Sequence, residues 1–479
     1  MWKTQKKGGK QRAKTHYFCF TRNVTRMEQQ KTATIIGAGL VGSLWAVYLS
    51  KAGYKVTIFE RRSDIRQAEI SAGKSINLAL SVRGWTALDK VGVGDEIRKI
   101  AIPMYGRMMH DLEGNLTYQQ YGKEGQAIFS VSRGKINATM MDIAENHGNA
   151  TIHYQHSCDR VNTETGEAFI HNELTGERFT VKADVVFAAD GSFSSVRYSS
   201  FQKRNRFSYS QNYIADGYRE LLLPANADGS YKLDKNALHI WPRGRFMMIA
   251  LANEDGSFTC TLFMPYEDDK YAFDRLTSKE KVDEFFQEVF PDFYAMVPNV
   301  AEAWEDHPLS SLSIIRCKPW HAGKVALMGD AAHGTVPFYG QGMNAGFEDC
   351  RVLFELMEKH QEDWPAVFEE YSRLRKPDGD ALQDLSLDNY LVMRDYVADP
   401  SFILRKKIEA KFSEMYPERW MPLYSQVTFS NIRYSEAYRQ GQVQNAIMDE
   451  VMAMENIEEH WESDSVMAYL LEKSADFKF

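Results

Sequence analysis

Gly37, Gly39 and Gly42 stand in the spacing GxGxxG, and Glu60 closes the later run KVTIFE. Each of these residues has a job that chemistry can name. The first glycine permits a tight turn, the second lets a pyrophosphate approach the backbone, and the third lets a helix pack against a sheet. The amides at the helix start attract phosphate charge. A carboxylate at Glu60 can accept hydrogen bonds from both hydroxyls of an adenosine ribose. The motif does not choose between FAD and NAD. Two aspartates follow: Asp190, beside Gly191 after VVFAA, and Asp330, directly after Gly329. An aspartate at a strand end either binds a sugar hydroxyl or caps a helix. His333, in DAAH, could serve as a general base, but we read it as a packing residue.

Elements must hold these residues in place. TATII is short, apolar and β-branched and runs into the glycines; a helical pattern follows (Leu44, Ala46, Leu49), then Gly53 and KVTIFE. That is a β-α-β unit. Residues 75–100 read as helical, 105–135 as strands and loops, and 135–146 as a helix before the strand TIHYQH. Residues 165–190 read as a hairpin and a buried strand. NALHIW, RFMMIAL and SFTCTLFMP, parted by turn-like GR and EDGS, predict an antiparallel sheet. Met247, Ile249 and Leu251 fall on one face of such a strand, suited to an apolar slot or to plain sheet core. Residues 325–350 read as a strand, a glycine-bearing loop and a helix start, and the remainder is mainly helical.

The fold class is therefore α/β, α+β overall: a Rossmann-like dinucleotide-binding domain with an inserted antiparallel-sheet domain and a C-terminal helical region. The expected divisions are a disordered basic extension over 1–30, a cofactor domain over 31–205 and 320–375, a substrate sheet over 206–319 and a helical region over 376–479. Lys3, Lys6, Lys7, Lys10, Arg12, Lys14, Arg22 and Arg26 lie in the first stretch without an acid. We read it as an extension rather than a targeting segment.

Composition excludes several classes. At 44% hydrophobic and 25% charged, the 479 residues suit a soluble globular protein. A net charge of -8 argues against nucleic acid as a partner. Cys19, Cys158, Cys260, Cys317 and Cys350 are odd in number and form no CxxC, so no disulfide framework or zinc site is expected and a reducing cytoplasm fits. No run approaches the roughly 18 apolar residues of a membrane span.

GxGxxG, then DG, then GD, in that order, resembles the class A FAD-dependent aromatic hydroxylases. Within that class, SINLALSVRGW, IPMYGRMMHD, NALHIWPR, GDAAHGTVPFYGQGMNAGFEDC and VTFSNIRY resemble the kynurenine 3-monooxygenase family, through nearly the whole chain from residue 32. The resemblance implies bound FAD, NADPH as co-substrate, and O2 activated at the flavin C4a carbon. The implied reaction turns L-kynurenine into 3-hydroxy-L-kynurenine, a step of tryptophan degradation towards NAD. It implies that Asp330 binds the ribityl chain, that Arg133 lies near the pyrophosphate, and that Ala79 and Asp190 belong to the cofactor site. Gly340 and Gln341 lead into Gly342, Met343 and Asn344, whose helix start could face the flavin pyrimidine edge.

For the substrate, the resemblance implies Arg107 as the guanidinium that forks onto the carboxylate, with Tyr121 beside it and Asn389 and Tyr424 as further polar contacts. Leu238, Phe263, Pro337, Phe338 and Tyr339 would line the ring slot. No acid or base is assigned, because the substrate's own amino group activates its ring. Val392 stands where the family commonly has glutamate, three residues after Asn389, which bears on amine recognition. No second GxGxxG marks an NADPH site, as is typical of the class. Animal relatives carry a C-terminal membrane helix, but the tail here is acidic and broken. The expectation is a cytoplasmic protein, monomer or homodimer, taking a small-molecule substrate and no metal. A sister hydroxylase of another aromatic acid, a flavin-binding scaffold and an NAD-dependent dehydrogenase remain open at this point.

Overall fold

TATII becomes a central strand because four of its five side chains go into the core. In the computed structural model, which describes residues 30–67, 77–146, 148–268, 270–393 and 399–479, Thr32–Ile36 lies between the parallel strands Lys55–Glu60 and Val185–Ala188. The full order is His321–Ala322, Val325–Leu327, Val185–Ala188, Thr32–Ile36, Lys55–Glu60, Ala150–Tyr154. Only the first pair is antiparallel. Parallel strands covered on both faces need continuous apolar runs, and VVFA is buried at every position. The Leu40–Lys51 helix packs Leu44, Trp45 and Tyr48 into this core without exposure. The expected basic extension falls, except for Gln30, outside the described residues.

A second, seven-stranded sheet runs Ser310–Lys318, Ser208–Leu223, Phe258–Pro265, Met247–Ala252, Ala237–Pro242, Gly106–His110, Leu116–Gln120. It differs from the expected inserted sheet in two ways. Gly106–His110 and Leu116–Gln120 join it from far earlier in the chain, and Gly106–His110 pairs with Ala237–Pro242 in parallel. That pairing puts Arg107 in register with Leu238. Strand alternation divides the faces cleanly. Met248, Ala250 and Ala252 pack with Trp241, Phe258 and Phe286 on one side. Met247, Ile249 and Leu251 face the other side, in separate clusters. Each large side chain fully buried this way contributes roughly 1.5–3 kcal/mol.

Two local expectations need correction. INLAL was expected to be helical, but Asn77–Leu80 is a strand antiparallel to Ile128–Ser132; residues 75 and 76 lie outside the described residues. The Asn77 amide donates to the Ala252 carbonyl at 3.0 Å and Asn253 Oδ1 at 2.7 Å, a tertiary anchor that local periodicity does not record. Helix begins only at Val82. TIHYQH is broken at Gln155, whose φ is 58°; the chain then enters a separate three-stranded sheet through His156–Asn162.

After Val325–Leu327 the described elements are helical, chiefly Gly342–Lys359, Trp364–Leu391, Pro400–Met415, Leu423–Thr428, Tyr434–Met452 and Asp464–Lys473. Phe412, Trp420, Met448 and Leu470 form the core of the last part. Lys31–Phe479 packs as one compact unit. Among the described residues no helix is long and apolar enough to cross a membrane.

Candidate active site

The three glycines of the first motif do different things. A Cβ at Gly37 would meet Ala189 O at 2.6 Å, and its φ is +98°. A Cβ at Gly42 would meet Gly37 O at 2.0 Å, which is the close helix–strand contact expected of it. A Cβ at Gly39 meets nothing within 4 Å. Protein packing therefore does not require glycine at position 39, whereas a ligand approaching the backbone would. Glu60 is buried, and Oε2 accepts from the Ala38 amide at 2.9 Å. Oε1 accepts from Arg62 N and Nε, both at 3.0 Å. Oε2, which accepts once, keeps a lone pair for a ribose hydroxyl, whereas Oε1 already accepts twice. The Ala38 carbonyl is held in turn by Asn137 Nδ2 at 3.0 Å and Ser43 Oγ at 3.1 Å. Sequence reading missed Asn137 because its signal is purely tertiary. Arg133, exposed at the start of the Arg133–Asn146 helix, lies one turn before Asn137 and so on the face that reaches the glycine loop.

Asp190 turns out to cap. Its Oδ2 accepts from Ser195 Oγ and Val196 N, each at 3.2 Å, while Oδ1 is buried without a partner and burial raises the carboxyl pKa. Asp330 is the opposite case: exposed, at the first position of Asp330–His333, with no hydrogen bond to its carboxylate among the described residues. Asp330→Ala should therefore leave the melting temperature of the FAD-free protein unchanged. It should weaken FAD binding by roughly ten- to a hundredfold, the range for a hydrogen bond to a charged group. Titration followed by flavin fluorescence reads this, and unchanged affinity would remove Asp330 from the cofactor site.

Asn344 lies at the helix start whose amides were expected to face the flavin; its Oδ1 accepts from Ser81 N and its Nδ2 donates to Ala79 O and Gly340 O, each at 2.9 Å. The side chain clamps the Asn77–Leu80 strand to the helix start. The Gly342–Lys359 helix opens without a side-chain cap, so the backbone amides at Gly342 and Met343 are left to meet a ligand. A Cβ at Gly340, whose φ is +66°, would come 3.4 Å from Ala79 Cβ. The clear space at Gly39, the unpartnered Asp330 and the uncapped helix fit FAD.

Across the helix start from these groups lies a stack of aromatic rings. Tyr121 stacks on Tyr424 at 5.4 Å and 12°, and Tyr339 stacks on Tyr424 at 5.6 Å and 21°. The Arg107 guanidinium lies 4.7 Å from the Tyr424 ring centre and 5.4 Å from that of Tyr121. Arg107 makes no salt bridge among the described residues, and its Nε is buried without a partner. The Tyr121 hydroxyl is likewise buried and unpartnered. Burial works against the Arg107 charge, but the Tyr424 and Tyr121 oxygens hold its pKa above the ordinary arginine value. Burial pushes Tyr121 well above the usual phenol range, so it stays a neutral donor. A buried guanidinium Nε and a buried hydroxyl left without hydrogen bonds are costly unless an anion completes them.

The apolar side of the site is the face of the seven-stranded sheet. Leu238 and Ile249 join the cluster holding Tyr121 and Leu251 to the one holding Met247, Phe263 and Phe338. Phe338 stacks on Tyr390 at 3.9 Å and meets Phe263 at 5.1 Å. Pro337 is exposed. Asn389 is not free: its Nδ2 donates to Phe338 O at 2.7 Å and Met393 Sδ at 3.2 Å, tying its helix to the loop. Tyr390 was missed because its stacking partner is fifty-two residues away. Val392 is half-buried at the end of the Trp364–Leu391 helix. His333 is buried against Asp349, with Nε2 to Oδ2 at 2.5 Å, which agrees with a packing role. No group of His, Cys, Asp and Glu among the described residues could hold a metal.

Comparison with known proteins now adds to this geometry. The family profile described as FAD binding domain matches residues 30–386. Kynurenine 3-monooxygenase of Flavobacterium johnsoniae is 48% identical over 447 residues, covering 93% of this chain and 99% of its own. The Sus scrofa protein of the same name is 42% identical, covering 88% of each chain. Among solved structures, 2-methyl-3-hydroxypyridine-5-carboxylic acid oxygenase matches with a TM-score of 0.64 at 19% identity, covering 78% of this chain and 95% of its own. The last likeness is one of fold.

Proposed function

Since this chain belongs to the kynurenine 3-monooxygenase family of FAD-binding proteins, we infer that it hydroxylates L-kynurenine to 3-hydroxy-L-kynurenine with NADPH and O2. The observation that carries the reading is Arg107: a half-buried guanidinium whose Nε is buried without a partner and which has no counter-ion among the described residues, walled by two tyrosines and set beside an apolar sheet face. The substrate has complementary parts, a carboxylate at one end and a flat amino-substituted ring at the other.

FAD, when bound, supplies the transfer of electrons from NADPH to oxygen and delivers an electrophilic oxygen atom. The chain supplies placement. Arg107 takes the carboxylate in a two-pronged contact, and the Tyr121 hydroxyl donates to the same group. Leu238, Ile249, Phe263 and Phe338 lay the ring against the sheet and keep water away from the reacting carbon. The ring's ortho amino group makes that carbon nucleophilic, so no protein base is needed. Glu60, Asp330 and the Gly39 loop would hold the cofactor, with Asp190 capping the turn at Ser195 and Val196, and Arg133 would meet its phosphates. Asn344 and Asn389 act at one remove, by fixing the loop between flavin and ring. We place the protein in the cytoplasm, as a monomer or homodimer; the described cysteines, all unpaired and buried, are consistent with a reducing compartment.

NADPH oxidation by the holoenzyme should be stimulated by L-kynurenine and product should form in step with it. Aromatic acids lacking the ortho amino ketone should stimulate without matching product, or not at all. Equal product from such an acid would assign the site to a sister hydroxylase.

A further inference from the structure

Arg83 is fully buried and belongs to none of the groups assigned above. A guanidinium survives in the interior only where its donors are met. Here Nε donates to Val427 O at 2.9 Å, and Nη2 donates to Gln426 O at 3.4 Å and to the Ile432 carbonyl. Nη1 pairs with Glu348 Oε1 at 3.1 Å. The Tyr434 ring centre lies 3.9 Å from the guanidinium carbon. Gln426 and Val427 lie in the last turn of the Leu423–Thr428 helix, where a cation suits the helix dipole. The first turn of that short helix carries Tyr424. Glu348 lies on the Gly342–Lys359 helix, whose start faces the cofactor site.

The contacts continue beyond Glu348. Its Oε2 meets Arg375 Nη1 at 2.7 Å, and Arg375 Nε meets Asp349 Oδ1 at 2.8 Å. Asp349 Oδ2 accepts the Gly329 amide at 3.1 Å, next to Asp330. One buried chain of charges thus joins the loop carrying the cofactor aspartate to the helix carrying Tyr424.

We propose that Arg83 is a positioning residue for the substrate: it pins the Leu423–Thr428 helix to the Gly342–Lys359 helix and so keeps Tyr424 between Tyr121 and Tyr339, under Arg107. The proposal rests on the reading of Tyr424 as part of the substrate site. Arginine is required rather than lysine because one planar fork reaches two helix-end carbonyls, a third carbonyl and a carboxylate together. An ammonium presents its donors from a single point and cannot span them.

The test uses holoenzyme carrying Arg83→Lys. FAD content and the KM for NADPH should match wild type, kcat should stay within about threefold, and the KM for L-kynurenine should rise about tenfold, the scale of one lost interaction of roughly 1.4 kcal/mol. An unchanged KM for L-kynurenine, or FAD loss that accounts for all the lost activity, would overturn the proposal. Tyr434→Leu, which removes the ring beneath Arg83, should raise the same KM about threefold, a loss on the scale of an exposed-to-buried cation–π contact. Tyr434→Phe should not raise it, since that change removes only the hydroxyl bond to Gln341 Oε1. If Arg83→Lys does not accumulate as folded protein, the Tyr434 pair decides, and equal KM values in the two variants overturn the proposal. A wild type inactive on L-kynurenine sinks the functional reading and this inference with it; an active wild type with unaltered variants sinks the inference alone.

Discussion

Arg107→Ala raises the KM for L-kynurenine about a hundredfold and leaves FAD bound. Truncating one member of a buried hydrogen-bonded charge pair costs roughly 2–5 kcal/mol of binding, and a hundredfold lies inside that range. The variant should still fold. Arg107 has no acidic partner among the described residues, and its Nε is unpartnered there, so its removal orphans no described buried carboxylate. The guanidinium lies against Tyr121 and Tyr424 rather than the residues expected to hold FAD, which is why cofactor content should not move. Arg107→Lys should recover little, because an ammonium cannot fork onto a carboxylate. Steady-state kinetics with absorbance at the flavin band measures both quantities at once. A normal KM would remove the carboxylate anchor, and colourless protein would show that Arg107 supports the cofactor instead.

Gly39→Val should give folded, colourless protein, with FAD affinity reduced on the order of a thousandfold, a loss of roughly 4 kcal/mol. Gly39 has φ −73° and ψ −175°, a conformation open to any residue, and its Cβ would meet no protein atom within 4 Å. The cost of the valine must then fall on whatever approaches the backbone there. Gly42→Ala is the informative contrast. Its Cβ would sit 2.0 Å from Gly37 O, so the helix must move away from the strand and stability falls with or without cofactor. Thermal melts of the FAD-free proteins separate the two: Gly39→Val should melt with wild type and Gly42→Ala well below it. A yellow Gly39→Val protein would mean that no pyrophosphate lies against this glycine.

Much of the cofactor half can be read from the sequence because its signals are local. The apolar run Thr32–Ile36, the glycines and Glu60 all lie within thirty residues, and each step follows from chain geometry. The face formed by Met247, Ile249 and Leu251 is equally local, since alternation alone sets it. The substrate anchor is different. Nothing in the spacing of Arg107, Tyr121 and Tyr424 predicts that they meet; family likeness singled them out. The antiparallel pairing of Gly106–His110 with Leu116–Gln120 brings Tyr121 near Arg107, but Leu238 joins through a parallel pairing 131 residues away and Tyr424 through a helix 317 residues from Arg107, and no local pattern encodes such partners. Asn77–Leu80 was misread because a short apolar run has no period of its own. Asn344 and Asp190 were assigned to the cofactor by motif, yet their hydrogen bonds are largely internal. Arg83, Glu348, Asp349 and Arg375 stayed invisible because isolated charged residues read as surface, and only their mutual pairing allows burial.

The most direct measurement is the mass of the product formed from L-kynurenine and NADPH under isotopically heavy oxygen gas. The ring should gain one heavy oxygen atom, on the carbon beside the amino group, in step with NADPH consumed. Product carrying oxygen from water, or NADPH consumed with L-kynurenine recovered intact, would contradict a flavin set against a carboxylate-anchored ring.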